Sequence, residues 1–108
     1  MTEHQNGILK QVDQVKDQVI AFRHHLHSHP ELSFQEHATS AFIRESLGKA
    51  GLELTTGIAG TGMMLRIYGK GPGRIVALRA DMDALPIQEK SDKPYCSQNE
   101  GVMHACGH

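Results

Sequence analysis

The sequence carries no surplus of charge: eleven Lys and Arg stand against twelve Asp and Glu, net −1 with His neutral. That balance leaves no electrostatic footprint for nucleic acid or for an anionic membrane surface. No run of about 18 apolar residues occurs, so no membrane-spanning helix is expected. The opening residues, MTEHQNGILKQVDQ, lack a basic stretch followed by an apolar one. No secretory leader is therefore expected, and the protein reads as cytoplasmic. Cysteine is scarce as well. Cys96 and Cys106 are too few for the disulfide framework of a small secreted domain. Apolar residues make up 39%, slightly low for a globular domain, so any core is modest. A chain of 108 residues makes one small domain at most.

Histidine is present in excess, with eight in the chain. Imidazole titrates near neutrality and is a common metal ligand, so the excess points toward metal or acid–base chemistry.

The pattern alternates helix and strand. Ile8, Val12, Val15, Val19, Phe22 and Leu26 are spaced as one helical stripe, predicting a helix over 8–29. Pro30 ends it, because the residue before a proline is pushed out of the α region. Ser33-Phe-Gln-Glu36 matches a capping box, predicting a second helix over 34–50. Its inward residues would be Ala38, Ala41, Phe42 and Leu47, with Gly51 at the C-terminal cap. Residues 52–55 suit a short strand, and Gly57, Gly60 and Gly62 predict an irregular loop. Met63–Tyr68 reads as a strand, Gly69–Gly73 as a turn, and Arg74–Arg79 as a second strand and candidate hairpin partner of the first. The Ile-Val-Ala-Leu run in 75–78 has no polar alternation, which predicts burial on both faces. After Pro86 the chain is polar and without period. No repeat, low-complexity run or linker is present.

Two places can carry chemistry. In RADMDALP (79–86), an apolar strand runs directly into Asp81 and Asp83. Ligands in open α/β sheets gather at the carboxyl ends of strands, where two acids can hold a cation, orient a ligating His or act as base. Asp also caps turns well, and spacing alone leaves both readings open. In GVMHACGH (101–108), Cys106 and His108 are separated by Gly107, and His104 repeats the two-residue period. Thiolate and imidazole are both good ligands for Zn²⁺ and similar ions. A lone Cys-x-His is a weak motif, and a solvated tail is the competing reading. His24, His25, His27 and His29 form a third cluster near a helix C-terminus, where capping and solvation account for them through the helix dipole. His4 and His37 carry no signal.

LHSHPELSFQEHATSAFI (26–43), ALRADMDALPIQE (77–89) and SQNEGVMHACGH (97–108), in that order, resemble the N-terminal part of the hippurate hydrolase, or N-acyl-amino-acid amidohydrolase, family. That family is part of the wider aminoacylase and carboxypeptidase group of dinuclear metallohydrolases. The resemblance covers the chain from about residue 8 onward. It implies an α/β fold: two N-terminal helices, then strands of a mixed sheet, as an incomplete portion of a zinc-peptidase-like catalytic domain spanning 1–108. It implies Cys106 and His108 as metal ligands and Asp81 as a catalytic or ligand-orienting acid, with Asp83 in a supporting role. Arg79 stands where more distant relatives carry a ligating His. A complete site would hold two divalent ions (Zn, Mn, Co or Ni). Its substrate would be a small N-acyl amino acid or related amide, and the parent enzyme would be a homo-oligomer.

The family motif continues with an Asp after His108. The family's paired Glu-Glu, its further His ligands and its small dimerisation domain also lie beyond these residues, so 1–108 alone is expected to be inactive. Three other readings stand beside this one. The first is a small Cys/His metal module using Cys106, His108, His104 and Cys96. The second is a thiol-based redox fragment using Cys96 and Cys106. The third is a non-catalytic interaction module presenting strand edges.

Overall fold

A computed structural model describes residues 1–107. Its elements are α1 (Glu3–Ser28), α2 (His37–Gly48), β1 (Glu53–Ile58) and β2 (Gly62–Arg66). This is the α/β arrangement expected, two helices followed by strands.

Helix α1 begins five residues before the predicted start. Thr2 and Gln5 form a reciprocal capping box: Thr2 Oγ1 accepts from the Gln5 amide at 3.2 Å and Gln5 Oε1 from the Thr2 amide at 2.8 Å. The first turns are polar, so apolar periodicity did not reach them. Pro30, fully buried, closes the helix as predicted. The predicted stripe is packed only at its C-terminal end. Ile8, Val12, Val15 and Val19 are exposed, whereas Phe22 meets Phe42 edge-on at 5.5 Å and His25 stacks on Phe42 at 4.1 Å.

Helix α2 starts later than the capping-box pattern predicts, and Ser33 is not its cap. The Ser33 hydroxyl donates to Asp83 Oδ2 at 2.5 Å instead, and Phe34 takes a left-handed φ of 63° that no helix tolerates. Glu31 supplies the cap from outside, accepting the Ala38 amide at 3.1 Å and the Thr39 amide at 2.6 Å. Glu36 is also diverted, taking the Thr61 hydroxyl at 2.7 Å. Ala38 is exposed and Thr39 is buried in its place. Gly51 follows the helix with φ 66°, as a terminating glycine should.

Strand β2 pairs antiparallel with β1, from Glu53↔Arg66 to Ile58↔Gly62, with an irregularity between Thr56 and Ile58 where Gly57 has φ 78°. The predicted hairpin between 63–68 and 74–79 is not formed, because the preceding segment takes the partner position. Residues 74–83 lie in no strand, and Ile75, Val76 and Leu78 are 97%, 84% and 98% exposed. The expectation of burial on both faces therefore fails. A run without polar alternation needs cover from other segments on each side, and none of the described residues supplies it.

The best-packed region lies at the C-terminal end of α1. Ala84 and Val102 are its buried apolar residues. The Gln98 amide donates to Ser28 O at 2.9 Å, Asn99 Nδ2 to Pro30 O at 3.1 Å and the Ala84 amide to Glu31 O at 2.8 Å. Leu32 and Ala84 form a parallel bridge, Leu85 and Met103 an antiparallel one. Among the described residues no helix is long and apolar enough to cross a membrane.

Candidate active site

The Leu85–Met103 bridge decides where the two sequence motifs lie. Each residue donates its amide to the other's carbonyl at 3.0 Å. The chain therefore leaves Met103 running back along the segment that ends in Asp83, and RADMD and HAC come to share one cavity. Asp81, Asp83, Leu85, His104 and Cys106 line it, enclosing about 190 Å³. His108 lies outside the described residues.

Each carboxylate is held. Arg79 Nη2 donates to Asp81 Oδ1 at 2.7 Å. Asp83 accepts from Ser33, fifty residues earlier, so a purely local turn-capping role does not describe it. The Ser33 hydroxyl, helped by a main-chain amide and more weakly by His104 and Arg79, holds the Asp83 carboxyl below its ordinary range against the opposing effect of burial. His104 is shifted down, mainly by burial and then by His27, with Asp83 opposing. Burial thus favours the neutral imidazole in the cavity wall. His104 Nε2 is buried and makes no hydrogen bond among the described residues, an arrangement that costs stability unless a ligand or water satisfies it.

The histidine cluster on α1 does structural work of a kind its sequence did not reveal. His24 stacks on Tyr95 at 3.9 Å, and His25 and His29 stack at 4.5 Å. His27 Nε2 pairs with Glu89 at 2.9 Å. Glu89 also accepts from the Ser91 hydroxyl and, at 2.9 Å, from the Ser97 amide. Those bonds, Ser91 first, keep its carboxyl below the ordinary range. No local signal links His27 to Glu89 across 62 residues.

The donor set around the cavity, one thiol, one imidazole and two carboxylates, suits a borderline divalent ion. Among the described residues, however, no three His, Cys, Asp or Glu side chains are close enough together to hold one. Cys96 does not line the cavity. The small module built from His104, Cys96 and Cys106 is therefore not formed by these three residues, which contribute at most part of a coordination sphere.

Residues 77–108 match the model of Peptidase family M20/M25/M40. The chain is 57% identical over 102 residues to an N-acyl-L-amino acid amidohydrolase of Geobacillus stearothermophilus, covering 94% of this chain and 27% of that protein. It is 47% identical over 98 residues to thermostable carboxypeptidase 2 of Saccharolobus solfataricus, covering 90% of this chain and 25% of that one. Its fold superposes on a crystal structure from Bacillus subtilis, described as a dinuclear metal-binding peptidase from the M20 family. The TM-score is 0.82 and the identity 43%, covering 88% of this chain and 27% of that one. The chain spans about a quarter of the length of the curated relatives it matches. In both sequence and fold, then, this α/β segment is similar to a part of known hydrolases. The likeness is to part of amidohydrolases and peptidases, a peptidase of family M20 among them.

Proposed function

We propose that residues 1–108 are the N-terminal part of the catalytic domain of a metal-dependent amidohydrolase. The reaction would split an N-acyl amino acid or related small amide, hippurate-like in type, into a carboxylate and an amine. The observation that carries this reading is the shared cavity of Asp81, Asp83, His104 and Cys106, assembled from the two motifs that resemble the family's. Cys106 and His108 would hold metal through thiolate and imidazole. Bound divalent ions, two in a complete site, would supply Lewis-acid polarisation of the amide carbonyl and a water of lowered pKa.

The chain's own residues have distinct parts in this scheme. Asp81, steadied by Arg79, orients a ligand or accepts a proton at its carboxylate. Asp83 is fixed to Ser33 and keeps the acid-bearing segment tied to the turn before α2. A catalytic zinc normally has three protein ligands and a water, so this segment alone, with two, is inactive in the present reading. Further ligands and a general base would come from outside residues 1–108, as would the contacts that make the parent enzyme an oligomer working in the cytoplasm.

The test combines metal content by mass spectrometry with amide hydrolysis, on purified 1–108 and on Cys106→Ala. The proposal expects weak, substoichiometric metal that falls further in the variant, and no hydrolysis of N-acetyl or N-benzoyl amino acids. Stoichiometric, tightly held metal in 1–108 would instead support a self-contained metal module.

A further inference from the structure

Asp81 and Asp83 line two cavities rather than one. Besides the small cavity with His104 and Cys106, they form one wall of a cleft of about 450 Å³ between the turn before α2, the β1–β2 turn and the 79–83 segment. That volume lies in the range of small-molecule sites. Its apolar lining is Phe34, Ile58, Ala59, Met63, Ala80 and Met82, and beside the two aspartates Ser33, Glu36, Thr61 and Arg79 make the rest of the wall polar. Phe34 and Ala59 are the two non-glycine residues with positive φ among those described, at 63° and 50°. Both line this cleft, one from each turn. Left-handed backbone at a bulky residue is costly and persists where surrounding contacts impose it, typically beside binding sites. The strain at Phe34 coincides with an anchored neighbour, since Ser33 is bonded to Asp83. The ring itself is held in the open, 77% exposed.

We propose that this cleft is the subsite for the apolar side group of the amide substrate, and that Phe34 sets its preference for aryl or large aliphatic groups over small ones. The inference rests on the amidohydrolase reading for the identity of the ligand. The two carboxylates sit between the cavities, so an amide placed beside Asp81 can extend its acyl or side-chain group into the cleft. Phe34 and Met63 then offer flat and adaptable apolar surface.

The probes are N-benzoylglycine and N-acetylglycine, titrated into ¹⁵N-labelled 1–108 with Zn²⁺ present and followed by amide chemical shifts. N-benzoylglycine is expected to move the amides of Phe34, Ala59 and Met63 together with those of Asp81 and Asp83. N-acetylglycine is expected to move only the latter group. Phe34→Ala weakens N-benzoylglycine binding by about tenfold, the size of effect an apolar pocket delivers, and the ratio of the two affinities falls toward one. Phe34→Leu, which keeps an apolar wall, restores most of that ratio. Phe34→Gly relieves the backbone but must lose the preference as well. The proposal is overturned if saturating N-benzoylglycine leaves Phe34, Ala59 and Met63 unmoved, or if Phe34→Gly binds it as tightly as the parent chain. Failure of the amidohydrolase reading has a different signature: shifts in the cleft, with none at His104 or Cys106, which line the small cavity alone, from either probe.

Discussion

Leu85 and Met103 exchange both of their main-chain hydrogen bonds at 3.0 Å, and this single antiparallel bridge brings the acid-bearing segment and Cys106 to one cavity. Two motifs that are separate in the chain become one site through the geometry of one residue pair. The site should therefore be sensitive to the backbone at Met103, where no side chain of the candidate machinery is involved.

Met103→Pro tests that dependence. Proline removes the amide that donates to Leu85 and leaves a carbonyl without its partner, a loss of about 1–3 kcal/mol. The expected result in urea denaturation is a lower midpoint. Zn²⁺-induced amide shifts at Asp81 and Cys106 should also be lost together. Retention of both sets of shifts would mean that the bridge does not organise the site.

What the sequence makes legible is what depends on neighbours in the chain. Pro30 stops α1 and Gly51 follows α2 because their backbone constraints are local. The start of α2 is misread because Ser33 and Glu36, ideal for a capping box, are drawn away by Asp83 and Thr61. Glu31, six residues before the first residue of α2, takes over the cap, and no local pattern encodes that exchange. The segment 75–78 reads as a buried strand because apolar composition registers a demand for cover, not its supply. RADMD and HAC are each visible as candidate ligand segments, but their meeting depends on the bridge between Leu85 and Met103. The buried, unbonded Nε2 of His104 is a property of packing alone.

Two glycine substitutions should act in opposite directions. A Cβ at Gly62 would come within 2.7 Å of the Ile58 carbonyl oxygen, backbone that cannot swing aside. Gly62→Ala is expected to destabilise the β1–β2 turn by about 1–3 kcal/mol, as overpacking does. Gly7 lies inside α1, and a Cβ there meets nothing within 4 Å. Gly7→Ala should stabilise the helix by about 0.5–1 kcal/mol. Thermal melts followed by circular dichroism should show the first variant melting below the parent chain and the second above it.

Ile75, Val76 and Leu78 are almost fully exposed in a row, a surface prone to associate through unpaired backbone and apolar contact. Val76→Lys places a charge in the middle of that row. The expected outcome is a larger monomer fraction at high concentration, measured by light scattering, with an unchanged melting temperature. An unchanged distribution of species would show that this segment does not drive association.

The Glu31 carboxylate links stability to pH. Burial opposes its ionisation, but hydrogen bonding from Thr39 and the Ala38 amide, with His37 nearby, outweighs burial and lowers its pKa in the folded chain. A group whose pKa is depressed by folding stabilises the fold above its unfolded pKa, and that contribution disappears as pH falls through the folded value. The loss at Glu31 should thus begin below about pH 4.5 and continue as the carboxyl protonates. Asp83 and Glu89 shift in the same direction, so the whole chain should lose stability in acid. Glu31→Gln retains an acceptor for the α2 amides but cannot ionise. It should cost about 1 kcal/mol at pH 7, the scale of a helix cap, and proportionately less at pH 3. Urea midpoints for the two chains should converge as pH falls. A constant gap from pH 7 to pH 3 would show that the charge on Glu31, as distinct from its shape, contributes nothing to capping α2.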